Sequence, residues 1–267
     1  MITSHDNSLL RRARAVRDGK MKELIFVEGL RLCEEAFASG LKIDAVIFSE
    51  EIARKERAAT FLQQAAQVCD RLVAVSEKLL ASISYTKTPQ GIIVLASRPD
   101  WDRERFEGVQ GEAPLIVMMH GINNPVNVGA ILRTAEAGGA TGAIATAHTT
   151  DPFSPKALRG AMGSAFRLPI WTETNYEDVL GWCAGRRIGT VCADVEGSTL
   201  YTEIDWTGPR ALIMGPESTG LTPEEVSAAS AVVKIPMHGQ VESLNVGVAA
   251  SILLYEAARQ RGAKTGA

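Results

Sequence analysis

Three short polar loops carry the residues of this sequence that could do chemistry, and a helical pattern follows each of them. In the third loop, an apolar strand at 231–235 leads into small residues, and Ser243, Leu244 and Asn245 then open an apolar helix. Small residues and glycines let a ligand approach the backbone closely. Ser243 and Asn245 could equally be plain helix caps, the commonest role of such residues. Alone, this loop indicates a ligand site at most.

The first loop begins at Asn123 and leads into a predicted helix over 126–137. Asn127 fits the N-cap position, and apolar residues follow it at helical spacing. Arg133 projects about 140° round the helix from Val128. Its guanidinium is therefore available for phosphate, whose geometry it matches. For this helix alone, an ordinary surface arginine is an equally good interpretation.

The second loop runs from a predicted strand at 210–214 through Gly215, Glu217 and Gly220, and it carries one carboxylate. It lacks the Lys-Ser/Thr pair of a phosphate-binding P-loop. No Gly-x-Gly-x-x-Gly follows a strand either, so the dinucleotide fingerprint is missing. Glu217 could cap the backbone, orient a partner such as Arg133, or be a plain turn carboxylate.

The rest of the sequence predicts the elements that must position these loops. Over residues 1–97, apolar runs alternate with helical patterns, which favours a small α/β unit. Residues 98–112 are charged and turn-rich, as is typical of a linker. Over residues 113–267, near-continuous apolar strands alternate with helices, which indicates a parallel sheet covered on both faces. The run from Thr222 to Glu225 matches a helix start with Thr as N-cap, Pro at N1 and Glu at N3.

Charge, cysteine spacing and hydrophobic runs limit the kinds of protein that this sequence can encode. The chain has 267 residues, 46% of them hydrophobic, and a formal net charge of -3, so RNA binding would need a local basic groove. The four scattered cysteines have neither zinc nor disulfide spacing, which predicts inert thiols and no metal site. The N-terminus lacks a signal-peptide core, and no apolar run approaches the ~18 residues of a membrane span. We therefore expect a cytoplasmic protein.

Taken together and in this order, the three loops resemble the motifs of the SpoU (TrmH) family of RNA ribose 2′-O-methyltransferases, in the SPOUT superfamily. The resemblance spans roughly residues 113–260. Residues 1–97 resemble more weakly the small ribosomal-protein-like domain that often precedes it and binds substrate. The matching motifs are Asn127-x-Gly129-Ala-x-x-Arg133, Gly215-x-Glu217-x-x-Gly220, and Ile235-Pro-Met237 with Ser243-Leu244-Asn245.

This resemblance implies an α/β fold, with a parallel-sheet SPOUT catalytic domain that ends in a C-terminal trefoil knot. It also implies a homodimer with the site near the subunit interface, and S-adenosylmethionine held in the knot largely by backbone groups. The implied cofactor-binding positions are Met214, Gly215, Glu217, Gly220, Ile235, Met237, Ser243, Leu244 and Asn245.

By the same resemblance, Arg133 is the principal catalytic residue, with Asn127, Glu217 and Asn245 in support. Because a guanidinium keeps its proton in proteins, we expect Arg133 to orient phosphate and stabilise charge rather than act as a base. RNA contacts are expected from local basic groups, although charge runs are often only solvated surface. These groups are Arg11, Arg12 and Arg14 in front, and Lys156, Arg159 and Arg167 in the second domain.

The sequence therefore predicts transfer of a methyl group from S-adenosylmethionine to a ribose 2′-hydroxyl of structured RNA, rRNA or tRNA, with rRNA favoured. The main alternative is a catalytically silent RNA-binding or ribosome-assembly factor of the same fold, which would bind the cofactor without transfer. A nucleotide-dependent oxidoreductase on a doubly wound sheet is a second alternative, but it requires the missing glycine fingerprint.

Overall fold

Two β-sheets organise the chain, one in each of two units. The computed structural model describes residues 4–107 and 112–265. Unit 1 comprises Met1–Pro99 with Phe153–Arg167, and unit 2 comprises Asp100–Pro152 with Leu168–Ala267. Residues 108–111 of the expected linker lie outside the described residues.

The sheet of unit 1 has four strands in the order β1-β4-β2-β3. Strand β4 is antiparallel to β1 and β2, while β2 and β3 are parallel. The ends of β1, β2 and β3 and the start of β4 therefore meet at one edge of the sheet. The strands are β1 (Leu24–Glu28), β2 (Ile43–Ser49), β3 (Leu72–Val75) and β4 (Ile92–Ser97).

The sheet of unit 2 has seven strands in the order β7-β6-β5-β10-β8-β11-β9, and every neighbouring pair is parallel. This confirms the predicted parallel-sheet α/β fold. Its strands are β5 (Leu115–Met119), β6 (Gly142–Thr146), β7 (Ile170–Thr174), β8 (Gly189–Ala193), β9 (Thr199–Leu200), β10 (Arg210–Met214) and β11 (Ala231–Lys234).

Helices connect these strands, with a short 3₁₀ turn at Arg103–Glu107. Between β2 and β3 the chain forms two short helices, separated at residues 54–55. In chain order the helices are α1 (Ser8–Arg17), α2 (Leu30–Ala38), α3 (Glu50–Ala53), α4 (Glu56–Ala65), α5 (Glu77–Ile83), α6 (Pro125–Ala137), α7 (Pro155–Ala161), α8 (Ser164–Arg167), α9 (Tyr176–Gly185), α10 (Pro223–Ala228) and α11 (Val246–Thr265).

Each sheet is packed by its own hydrophobic core. In unit 1, α1 and α5 bury Leu10 and Leu80 against strand residues such as Phe26. In unit 2, Phe106 and Ile213 belong to a second core, and Gly142 leaves room for the Phe106 ring, which lies 2.4 Å from the place of a Cβ. Within the described residues, no helix is both long enough and apolar enough to cross a membrane.

Candidate active site

A cavity of about 860 Å³ lies in unit 2, at the carboxyl edge of the parallel sheet. Loops that follow β5, β8, β10 and β11 line it. In parallel α/β sheets, the crevice outside the carboxyl ends of the strands is where ligands bind. The lining combines apolar side chains with amide, hydroxyl and carboxylate groups, a mixture that can hold a small organic molecule with both apolar and polar parts.

A chain of side-chain hydrogen bonds joins the three predicted motifs at this cavity. The Nδ2 of Asn127 donates to Glu217 Oε1 at 3.0 Å, and the Nδ2 of Asn245 donates to Asn127 Oδ1 at 3.1 Å. Asn245 Oδ1 in turn accepts from the backbone N–H of Gly247 at 2.9 Å, at the start of α11. Segments about 90 and 118 residues apart are thereby held together by their polar side chains.

Glu217 is the acceptor on which this network ends. Its two carboxylate oxygens also accept from the backbone N–H groups of Asn123, at 3.3 Å, and Asn124, at 3.4 Å. Burial acts to raise the pKa of Glu217, but hydrogen bonds from Asn127 and from backbone N–H groups outweigh it and lower the pKa below its ordinary value of 4.5. Glu217 is therefore ionised at neutral pH and only accepts hydrogen bonds.

The start of α6 differs from the sequence-based prediction. Asn124, not Asn127, is the N-cap, and its Oδ1 accepts from the N–H of Val126 at 3.0 Å. Pro125 takes the first helical position, where its missing N–H costs nothing. Asn127 lies inside the first turn and is buried, which frees both ends of its amide for Glu217 and Asn245.

Glycine shapes the second loop at two points. A Cβ at position 215 would lie 2.9 Å from Leu221 Cγ and 3.1 Å from the Leu221 backbone nitrogen, so Leu221 can fold over this residue only if it is glycine. Gly220 has a φ of 65°, a left-handed conformation that favours glycine. The loop ends at Thr222, where the predicted capping box with Glu225 is confirmed.

His120 ties the end of this loop to the sheet. Its Nε2 lies 2.9 Å from Glu225 Oε1 and its Nδ1 lies 2.9 Å from Thr146 Oγ1. Since a carboxylate only accepts, Nε2 donates to Glu225, and in the neutral ring Nδ1 accepts from the Thr146 hydroxyl. Tyr176 packs edge-on against the imidazole at 4.9 Å and donates its hydroxyl proton to the Glu225 carbonyl. His120 is therefore a positioning residue for the loop that borders the cavity.

Replacing His120 by Ala should loosen this loop. We expect the free energy of unfolding to fall by about 1–3 kcal/mol, since partly buried hydrogen-bonding groups lose their partners. The Kd for S-adenosylmethionine should also rise, which urea denaturation and calorimetric titration would measure. His120→Gln, which can still donate to Glu225, should recover part of both losses. If both variants bound the cofactor as the wild type does, His120 would have no role in positioning the loop.

The cavity brings together most of the predicted site residues. All nine predicted cofactor-binding positions, from Met214 to Asn245, line it, and so does the predicted catalytic residue Asn127. Arg133 does not: it is exposed on α6 and is absent from the cavity wall. The functional roles of these residues stay predictions.

The six basic residues predicted to contact RNA all belong to unit 1. This includes Lys156, Arg159 and Arg167, which the sequence pattern assigned to the second domain. Three of the six make contacts within the chain: Arg12 pairs with Asp44 at 3.2 Å, Arg14 donates to the His5 carbonyl at 3.1 Å, and Arg167 pairs with Glu35 at 2.5 Å. An ion pair as exposed as Arg167–Glu35 contributes only about 0–1 kcal/mol, so phosphate could replace the acidic partner there.

Sequence reasoning missed the loop after β8, where Ala193, Asp194 and Val195 line the cavity. Asp194 Oδ1 accepts from the backbone N–H of Glu196 at 2.8 Å. The local signal in the sequence is an acidic residue, Asp194, directly after an apolar run. The strand order that places β8 beside β10, and so brings this loop to the cavity, is not a local property of the sequence.

The cysteine thiols lie in the interior of the protein. The four cysteines are free and buried, and burial raises the pKa of Cys183 and Cys192 to about 11, which keeps these thiols protonated at neutral pH. In the described segments, no group of three or more His, Cys, Asp or Glu side chains is arranged to hold a metal ion.

Comparison with known proteins places these observations in a family. Residues 114–255 match the model of the SpoU rRNA methylase family, and residues 9–94 match an MRM3-like substrate-binding domain. A 23S rRNA (guanosine-2′-O-)-methyltransferase of Ralstonia nicotianae is 34% identical over 82% of this chain and 88% of its own length.

Two solved structures match nearly the whole chain. The SpoU methyltransferase AviRb of Streptomyces viridochromogenes, in complex with AdoMet, has a TM-score of 0.86 and 28% identity, and the match covers 96% of this chain and 98% of that chain. An AdoMet-bound rRNA methyltransferase of Sinorhizobium meliloti has a TM-score of 0.81 and 32% identity, with 97% of both chains covered. The chain belongs to the SpoU rRNA methylase family.

Proposed function

We propose that this protein is an RNA 2′-O-methyltransferase that transfers a methyl group from S-adenosylmethionine to a ribose hydroxyl of 23S ribosomal RNA. The observation that carries the proposal is the hydrogen-bonded chain Glu217–Asn127–Asn245, which assembles the three motifs of the SpoU family on one cavity. Ribosomal RNA is favoured because the Ralstonia nicotianae relative is named for 23S rRNA and the Sinorhizobium meliloti structure for rRNA.

The cavity suits S-adenosylmethionine in size and chemistry. Its volume of about 860 Å³ is in the range of cofactor sites. Met214, Leu221 and Ile235 offer apolar surface for an adenine ring. The carboxylates of Glu217 and Asp194 supply negative charge beside a ligand that carries a sulfonium and an ammonium group.

The residues of this chain would contribute to methyl transfer by positioning the cofactor and the RNA. When bound, S-adenosylmethionine supplies an electrophilic methyl group, and methyl transfer is an in-line displacement that depends on alignment. Asn127 is buried, and both ends of its amide are fixed, so Glu217 and Asn245 keep a constant geometry along the cavity wall. Arg133 would orient the RNA phosphate beside the acceptor ribose, for which its planar guanidinium is suited.

A homodimer would bring Arg133 to a cavity. Val126 and Arg133 are seven residues apart on α6 and therefore lie about 20° apart on one helix face. Both are exposed, as are Val248 and Tyr255 on α11, which packs against α6 through a Thr134–Ser251 hydroxyl contact of 3.1 Å. A second copy that covers these apolar side chains would bury Arg133 near a site. The dimer, the cytoplasmic location and the C-terminal knot belong to this proposal.

Transfer of labelled methyl from S-adenosylmethionine to total RNA and to ribosomal particles tests the proposal. Label in an alkali-resistant dinucleotide of 23S rRNA is the expected result, because 2′-O-methylation blocks cleavage at the adjacent phosphate. Cofactor binding without transfer to any RNA would instead support the silent RNA-binding factor.

A further inference from the structure

We propose that the loop 84–91 of unit 1 binds unpaired RNA, with Tyr85 stacking on a base and Lys87 contacting phosphate. Within the described part of unit 1, Tyr85 is the one exposed residue among Phe, Tyr and Trp, at 44% of its full exposure. Lys87 is also exposed, and the loop holds no acidic residue. The inference rests on the proposed RNA substrate and assigns a surface that recognises it.

A buried carboxylate holds the front of this loop. Glu28, at the end of β1, is only 5% exposed. Its Oε2 accepts from the backbone N–H groups of Tyr85, at 2.8 Å, and Thr86, at 3.1 Å, while its Oε1 accepts from the Thr86 hydroxyl at 2.5 Å. Burying a carboxylate is costly unless hydrogen bonds compensate, and here the compensating donors are the loop itself. Glu28 therefore fixes the backbone that carries Tyr85.

Two further contacts fix the ends of the loop. Arg17 Nη1 donates to the carbonyls of Ile83, at 3.2 Å, and Ser84, at 3.4 Å. At the far end, the Gly91 carbonyl accepts a hydrogen bond from the backbone N–H of Ser49 at 2.9 Å. The loop is thus anchored before Tyr85 and after Lys87, and the exposed side chains project from an ordered backbone.

This arrangement suits a single-stranded nucleic acid. An aromatic ring offers a face on which any unpaired base can stack, and RNA-binding proteins read unpaired regions largely in this way. Because the backbone is already ordered, binding costs little conformational entropy. A lysine two residues further along adds a phosphate contact without selecting a base.

Anisotropy titration of the full chain with two fluorescein-labelled RNAs tests the assignment. One is a 16-nucleotide single strand of mixed sequence, and the other is a blunt-ended duplex of 16 base pairs with the same sequence. Tyr85→Ala should weaken binding of the single strand by about 5- to 100-fold, the range for loss of one stacked base. Binding of the duplex should change less than twofold, since its bases are paired and not free to stack.

Further variants and a calorimetric control complete the experiment. Tyr85→Phe keeps the ring and should bind as the wild type does. Val68→Ala, at the other exposed large hydrophobic residue in the described part of unit 1, should have no effect. Lys87→Gln should reduce the slope of the logarithm of the binding constant against the logarithm of salt concentration by about one, since one phosphate contact is lost. Calorimetry with S-adenosylmethionine should give an unchanged Kd for Tyr85→Ala, since Tyr85 is not in the cofactor cavity.

Unchanged binding of the single strand by Tyr85→Ala would overturn the proposal, as would an equal loss for Tyr85→Phe or for the duplex. Failure of the proposed methyl transfer is a separate outcome. In that case neither the wild type nor Tyr85→Ala transfers methyl, while their different affinities for the single strand remain measurable.

Discussion

Replacing Arg133 by Ala should abolish most methyl transfer and leave the protein otherwise intact. Within one subunit the side chain is exposed on α6, so its loss should change the free energy of unfolding of that subunit by less than about 0.5 kcal/mol. It does not line the cavity, so the Kd for S-adenosylmethionine should be unchanged. Loss of one donor that stabilises charge at a reacting centre typically lowers kcat on the order of 10²–10³-fold, and single-turnover transfer to RNA would measure it.

Two matched variants separate this role from a general effect of positive charge. Arg187 is an exposed arginine of the same unit. It lies just before β8, at the amino ends of the strands and so away from the cavity at their carboxyl ends. Arg187→Ala should therefore transfer methyl at the wild-type rate. Arg133→Lys keeps the charge but loses the planar fork, so it should stay well below the wild type. Near-full turnover by Arg133→Lys would show that bidentate phosphate recognition is the wrong account.

Much of the framework follows from local patterns in the sequence. The strand predicted at 210–214 coincides with β10, an inner strand, because strands buried on both faces are apolar throughout. The edge strands β7 and β9 carry no such pattern. Strand β7 mixes buried and half-exposed residues, and β9 has only two residues, so neither produces an apolar run.

Contacts between residues that are far apart in the chain could not be predicted from the sequence. The nine positions that the resemblance implies for cofactor binding all line the cavity, but it does not imply Asp194, whose place in the lining depends on strand order. The role of Glu28 was equally hidden, because its partners Tyr85 and Thr86 are 57 and 58 residues away in sequence. The cap of α6 was misplaced at Asn127 because Asn124 and Asn127 have equal capping propensity, and Pro125 decides between them.

Glu217→Gln should weaken cofactor binding and methyl transfer, although the glutamine and glutamate side chains have almost the same volume. Three N–H groups, from Asn123, Asn124 and Asn127, converge on the two carboxylate oxygens. A glutamine replaces one oxygen by an NH₂ group, so at least one N–H would face another donor and lose its partner. We expect the Kd for S-adenosylmethionine to rise about 10-fold and methyl transfer to fall at least as much. Calorimetry and single-turnover transfer would measure these changes.

The pH dependence of stability gives Glu217 an independent signature. Because its pKa is lowered in the folded protein, Glu217 stabilises the fold above its ordinary pKa of 4.5, and this contribution is lost as the pH falls through the folded pKa. The stability difference between wild type and Glu217→Gln should therefore be constant from neutral pH down to about 4.5 and shrink below it. Glu224→Gln, at an exposed carboxylate outside the cavity, should show neither this pH dependence nor a cofactor defect. If Glu217→Gln behaved like Glu224→Gln in both respects, the hydrogen-bonded chain would not be what organises the site.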